Sequence, residues 1–130
     1  MRIIAMIFLG LMLIGIPLKK NDCTKFHEGK FKIVDPNPKI GTTFITRKGN
    51  TQTEINDDFG YSVKLSVEWE NECKYTLRIL EVLENRPNIP FDTALIMTIQ
   101  IIETKNNSYI QSTTTNKSDQ VYESEVIRIK

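Results

Sequence analysis

The sequence predicts an all-β domain, a single antiparallel up-and-down barrel or sandwich of about eight strands. Two observations predict this class. Apolar and polar residues alternate over most of the chain after residue 20, and turn residues recur about every ten residues. A period of two places alternate side chains on one face of a strand, so each such run can bury one face in a core.

The clearest strands form a hairpin in the middle of the chain. Residues 61–69 alternate over nine positions, and a short acidic turn leads to a second alternating run at 73–79. The other predicted strands are 29–34, 42–47, 51–55, 95–104, 109–115 and 120–129. An antiparallel barrel of this size is lipocalin-like or calycin-like, and its interior is either filled or holds one small ligand.

Two segments leave alternatives open. Residues 83–93 carry Pro87 and Pro90, which predicts a long connection that is either a simple crossover or a binding loop. Residues 108–115 are rich in Ser and Thr hydroxyls, which favours an edge strand kept soluble by polar side chains. The alternative is that these hydroxyls line a barrel mouth or bind carbohydrate.

The N-terminus predicts export. After Arg2, residues 3–16 form an uninterrupted apolar run that ends at Pro17 and is followed by Lys19 and Lys20. As a helix these fourteen residues span about 21 Å, which is short of the roughly 30 Å hydrocarbon core of a bilayer. We therefore predict that residues 1–20 are a secretory signal peptide, with an N-terminal membrane anchor as the alternative. Residues 21–130 are the all-β domain, located in the periplasm, at the cell surface or outside the cell.

The chain contains two cysteines, Cys23 and Cys73. In an exported chain this count predicts one intramolecular disulfide. It closes a loop of about 50 residues, which contributes about 4 kcal/mol in the chain-entropy model. Together with the single histidine, His27, the cysteines lack the paired spacing of a structural zinc site.

Charge and motifs exclude several classes of function. Residues 21–130 carry 14 basic and 16 acidic residues without a basic block, so we predict no nucleic-acid partner. The sequence contains neither the nucleophile elbow of α/β-hydrolases nor a phosphate-binding P-loop. We predict no catalytic residue, no cofactor and no metal site.

Several residues together resemble a known family. They are Cys23, Phe26, Gly29 and Phe31, then Thr43, Phe44, Arg47, Gln52 and Glu54, then Val67, Trp69, Cys73, Tyr75 and Leu77, and finally Tyr109. The pattern resembles a family of short exported proteins of Bacteroidetes-type bacteria, many of them lipoproteins, without an established activity and sometimes labelled as DNA topoisomerase IV. The resemblance implies the same disulfide and supplies no catalytic residue.

We therefore predict a non-enzymatic binding or interaction module of the cell envelope, whose partner is an envelope protein or a small apolar ligand. A calycin-like carrier is the alternative, and an envelope enzyme comes third. The membrane is a partner only through an uncleaved N-terminal segment. Five large side chains are predicted to point inward, as core or as pocket lining: Phe31, Phe44, Tyr61, Trp69 and Tyr75. Trp69 is expected to pack near the disulfide, or to line the cavity of a carrier.

Overall fold

A computed structural model describes residues 22–130, which form a closed antiparallel barrel of eight strands. Each strand pairs with the next in chain order, and β8 returns to β1. The strands are β1 (Gly29–Val34), β2 (Thr42–Lys48), β3 (Thr51–Asn56), β4 (Tyr61–Asn71), β5 (Lys74–Asn85), β6 (Ile96–Thr104), β7 (Ser108–Thr115) and β8 (Ser118–Arg128). The predicted all-β class is confirmed, with a barrel rather than a sandwich.

A short 3₁₀ helix, Thr24–Phe26, precedes β1. No helix formed by residues 22–130 has the length and apolar character needed to cross a bilayer. The predicted signal peptide or anchor, residues 1–20, lies outside the described residues.

The up-and-down topology gives the barrel two different ends. The 3₁₀ helix, the β2–β3, β4–β5 and β6–β7 turns and the C-terminus lie at one end, called here the helix end. The opposite end, called the connection end, carries the longest link, residues 86–95 between β5 and β6. Chain entry at the helix end requires Gly29, whose φ of 139° is a conformation that residues with a Cβ rarely adopt.

The core fills the helix end and the middle of the barrel. Its fully buried side chains alternate along the strands, as a period of two requires. They include Phe26, Phe31, Leu65, Tyr75, Ile101, Tyr109 and Val126, together with Cys23.

Strand β5 is longer than its predicted bounds. Residues 83–85, which the sequence pattern assigns to the connection, continue β5 to Asn85. Beyond Arg78, however, β5 pairs only with β4, and that pairing contains register shifts. Buried and exposed side chains no longer alternate in this second half of β5, and this explains why the strand predicted from alternation is too short. The connection that contains Pro87 and Pro90 therefore begins at residue 86.

The barrel closes through a short seam. β1 and β8 pair only at Phe31–Arg128 and Lys32–Ile127. Three backbone hydrogen bonds between Lys30 and residues 129–130 supplement this pairing. β7, in contrast, is paired with β6 and β8 on its two sides. The prediction that residues 108–115 form an edge strand is therefore wrong, because a closed barrel gives this strand two neighbours.

Candidate functional site

The disulfide joins the 3₁₀-helix segment to the β4–β5 hairpin. Cys23 and Cys73 are bonded, with their Cα atoms 5.2 Å apart and a sequence separation of 50. Cys23 is fully buried, which fixes the helix over the end of the barrel. The predicted bridge is confirmed, and a bond of this kind is typical of oxidising, extracytoplasmic compartments.

Trp69 packs at the same end as the disulfide. Its ring is stacked on His27 with centroids 3.6 Å apart and lies 4.4 Å from the ring of Tyr75. His27 is held in turn by its Nε2–H, which donates to the Glu72 carbonyl at 2.8 Å. The indole is only partly buried and packs against the edge of the core.

The most unusual side chain of the core is Arg47, which is 1% exposed. Its Nε donates to Gln52 Oε1 at 2.9 Å, and one terminal nitrogen donates to the Phe26 carbonyl at 2.8 Å. The other terminal nitrogen donates to the hydroxyls of Tyr75 at 3.0 Å and Tyr109 at 2.8 Å. Arg47 therefore ties β2 to β3, to the 3₁₀ helix and to two strands across the lumen.

The buried charge of Arg47 is compensated by dipoles and aromatic faces. Within residues 22–130 no carboxylate forms an ion pair with it. Its guanidinium carbon lies 4.8 Å from the ring centroid of Tyr75 and 5.1 Å from that of Phe31. Burial raises the pKa of Tyr75 and of Tyr109, so both phenols stay neutral and accept hydrogen bonds without supplying charge.

A chain of hydrogen bonds leads from Arg47 to an acid. Gln52 accepts from Arg47 through Oε1 and donates through Nε2 to Glu54 Oε2 at 2.7 Å. Both residues belong to β3, where Gln52, Glu54 and Asn56 occupy alternate positions of the strand. Burial raises the pKa of Glu54, while the hydrogen bond from Gln52 and the charge of Arg47 oppose that rise.

Glu54 borders an apolar cavity of about 280 Å³ at the connection end of the barrel. Side chains of β4, β5 and β6 and of the β5–β6 connection form its apolar walls, and Glu54 of β3 adds the acid. The lining residues are Glu54, Tyr61, Val63, Leu65, Ile79, Ile89, Phe91, Leu95 and Met97.

The connection is held in place by its own hydrogen bonds. Asn85 Nδ2 donates to the Ile89 carbonyl, and the Ile89 amide donates to Asn85 Oδ1, both at 2.8 Å. Phe91 then approaches Tyr61, with ring centroids 6.0 Å apart. Because these contacts fix the backbone of the connection, its apolar side chains reach the cavity as part of a preformed wall.

Three larger depressions are less suited to a small ligand, and one of them, of about 350 Å³, is a shallow surface over the start of β1 and the end of β2. A second, of about 620 Å³, lies over β4 and β5 and is bordered by the exposed side chains of Glu68 and Arg78. The third, of about 350 Å³, lies beside the β1–β8 seam, bordered by Asp35 and Glu123. A site with mainly apolar walls and a few convergent polar groups is the usual arrangement for small-molecule binding, and the cavity beside Glu54 has that arrangement.

The five predicted inward residues have different positions. Tyr61 lines the cavity, whereas Phe31 and Tyr75 belong to the buried core. Trp69 does not line this cavity but borders the larger depression over β4 and β5.

Phe44 points to the outside of the barrel and is 47% exposed, so its predicted inward position is wrong. Its neighbour Ile45 and the more distant Arg47 are buried and set the inward face of β2. Alternation then turns Phe44 outward, where it pairs with Ile55 of β3.

Sequence reasoning assigned no role to Arg47, Gln52 or Glu54. A signal was nevertheless present. Gln52, Glu54 and Asn56 form a polar stripe with a period of two, and the Gly49–Asn50 turn places Arg47 opposite Gln52. The composition of that stripe is unusual for an inward face, and this could have marked it as a candidate site.

The fold and cavity define the class of the protein, an eight-stranded antiparallel barrel consistent with a lipocalin-like architecture. No protein-family model matches the chain, and no curated protein matches its sequence. The resemblance to exported Bacteroidetes-type proteins stays a prediction.

Proposed function

We propose that this protein is an exported, non-enzymatic carrier that binds one compact, mainly apolar molecule at the connection end of its barrel. The observation that carries the proposal is the cavity of about 280 Å³ beside Glu54. Its volume is close to the lower limit of the roughly 300–1,000 Å³ typical of small-molecule sites. A compact ligand is therefore the appropriate size.

The architecture supports a binding role because the two ends of the lumen are built differently. Arg47, the tyrosines and the 3₁₀ helix fill the helix end with a satisfied polar cluster. The connection end instead carries apolar side chains that leave space between them. A barrel with one filled end and one hollow end is suited to hold a ligand without a path through the molecule.

Export is part of this proposal. The disulfide supports an oxidising compartment, and the apolar run at residues 3–16 supports a signal peptide or an N-terminal anchor. The periplasm, the cell surface and the medium are the compartments that these features favour. The proposed family of envelope proteins is consistent with the same location.

The carrier proposal is tested with propylbenzene, an uncharged apolar probe of suitable size. Titration into the labelled protein should give saturable NMR shifts of the Val63, Leu65 and Ile79 methyl groups. Val63→Trp places a large ring in the cavity and should weaken binding by at least about tenfold, since loss of a few buried methylene contacts already costs more than about 1.4 kcal/mol. Val121→Trp is the matched control, because Val121 is 61% exposed.

A second variant guards against a folding defect of Val63→Trp. Leu95 lies on the connection, is only partly buried and lines the same cavity, so Leu95→Trp should block binding with less disturbance of the core. Shifts that do not saturate, or that survive in both blocking variants, would overturn the proposal.

A further inference from the structure

We infer that the cavity selects an organic amine, with its protonated nitrogen on Glu54 and its apolar body among the aliphatic walls. This inference rests on the proposed carrier function and adds the chemical class of the ligand. It is carried by the charges, the hydrogen-bonding capacity and the aromatic faces around Glu54.

The charge of the lining has one sign. Glu54 is its ionisable acid, and among the described residues no lysine, arginine or histidine lines the cavity. The nearest buried cation, Arg47, lies behind Gln52 and already donates to four acceptors. An anionic ligand would therefore meet a carboxyl group and find no free basic partner. A cationic ligand would instead pair with the carboxylate.

Glu54 has hydrogen-bonding capacity to spare. Its Oε2 accepts from Gln52 Nε2, and no other donor within residues 22–130 contacts the carboxyl group by a hydrogen bond. An ionised carboxylate has about four acceptor positions, so most of them remain available. Glu54 is partly buried with one hydrogen-bond partner, and a ligand that donates further hydrogen bonds replaces the water that burial removes.

The carboxyl group is also held in a defined orientation. Gln52 is 2% exposed, and Arg47 holds its amide oxygen at 2.9 Å, which leaves the amide nitrogen directed at Glu54. Preorganisation of this kind lowers the entropy cost of binding, because the acceptor does not have to be ordered by the ligand.

Aromatic rings add a second favourable contact for a cation. Tyr61 and Phe91 line the same cavity and approach each other with centroids 6.0 Å apart. The charge of Glu54 contributes, after burial, to raising the pKa of Tyr61, because the phenol and the carboxyl group face a common space. Aromatic rings in the same cavity as a carboxylate can attract an ammonium group through cation–π contact.

The inference also implies a pH dependence. Amine binding requires ionised Glu54, whereas burial favours its neutral form. Arg47 of β2, Tyr61 of β4, Tyr75 of β5 and Tyr109 of β7 are the titratable groups that act electrostatically on Glu54 or feel its charge. The three phenols stay neutral in mildly acidic solution, because the pKa of each is raised. Amine affinity should therefore fall in acid as Glu54 takes up its proton.

Three matched probes test the inference by calorimetry at neutral pH: 3-phenylpropylamine, propylbenzene and 4-phenylbutanoate. The amine should bind at least about tenfold more tightly than propylbenzene, since a hydrogen bond to a charged group contributes about 1.5–3 kcal/mol. In Glu54→Gln this affinity ratio should fall to about one, because the carboxylate is lost with little change in shape. Glu68→Gln, at an exposed position of β4, should keep the wild-type ratio.

The outcomes separate the two proposals. If propylbenzene binds but the amine binds no more tightly, the amine inference is wrong and the carrier proposal stands. Tighter binding of 4-phenylbutanoate would also overturn the inference, since Glu54 would then hold its proton and donate to an anion. If none of the three probes binds, both the inference and the carrier proposal fail.

Discussion

Glu54 and Arg47 place one acid and one base in the lumen, joined by the amide of Gln52. The guanidinium of Arg47 is buried, and four fixed acceptors compensate its charge. Glu54 can lose its charge instead, and burial raises its pKa above the ordinary value of 4.5. Arg47 therefore organises the helix end, whereas Glu54 is the group through which we expect the cavity to respond to pH.

The raised pKa of Glu54 predicts a pH-dependent stability. A folded state that holds this proton more tightly than the unfolded chain gains stability below the unfolded pKa near 4.5 and loses it as pH rises through the folded pKa. Glu54→Gln removes this loss, so the free energy of unfolding of the variant should increase relative to wild type as pH rises from about 4 to about 7. Urea unfolding at both pH values measures the difference.

Glu68→Gln is again the matched control, since Glu68 is exposed and no ion pair involving it is present within residues 22–130. A difference between Glu54→Gln and wild type that stays constant with pH would show that the Glu54 proton is not bound more tightly in the folded state.

Among the elements, the 3₁₀ helix Thr24–Phe26 depends most on tertiary contacts. Three residues cannot form a stable helix by themselves. Burial of Phe26, the hydrogen bond from Arg47 to its carbonyl and the disulfide at Cys23 hold the helix over the barrel. The same contacts join the chain entry to β2 and to the β4–β5 hairpin.

Loss of the disulfide should therefore weaken the whole barrel. Because the bridge closes a loop with a sequence separation of 50, the double variant Cys23→Ser and Cys73→Ser should lose about 2–5 kcal/mol of unfolding free energy. Urea unfolding with and without a reductant measures the loss. Reductant should lower the stability of wild type toward that of the double variant and leave the variant unchanged. Two titratable thiols in freshly isolated exported protein would contradict the bridge.

In the molecule as a whole, strand pairing is distributed unevenly around the barrel. β4 and β5 are paired along most of their length, whereas β1 and β8 meet at two residue pairs. β5 also loses its pairing with β6 beyond Arg78, and there the connection at residues 86–95 supplies part of the cavity wall. The hollow end is thus the end where the sheet is least continuous, which leaves room for a ligand.

The proposed compartment also concerns the whole molecule, because a disulfide such as that of this barrel forms and persists in oxidising surroundings. A fusion of residues 1–22 to a reporter that is active only outside the cytoplasm should give activity. The control is the same fusion without residues 3–16, which should be inactive because it lacks the apolar run that we propose as the export signal. Export would be contradicted if the reporter fused to the intact residues 1–22 remained in the cytoplasm.

Much of the fold was predictable from local patterns. The period of two, with its regular turns, predicted eight strands, and residues 29–34 match β1 at both ends. The cysteine count predicted the bridge. The candidate site was harder to predict from the sequence. Of the five residues predicted to point inward, Tyr61 alone lines the cavity, and Glu54 was not assigned a role.

Local patterns in the chain were enough to specify the all-β class, the order and approximate bounds of the strands and the cysteine pair, because alternation and turn residues are properties of short segments. The closed barrel was needed to establish which face of β2 is inward, how Arg47 is satisfied across the lumen and where space is left. Those properties depend on side chains that are distant in sequence, such as Glu54, Ile79 and Phe91, and that meet only when the barrel closes. A cavity is what remains after this packing, so no single segment specifies it.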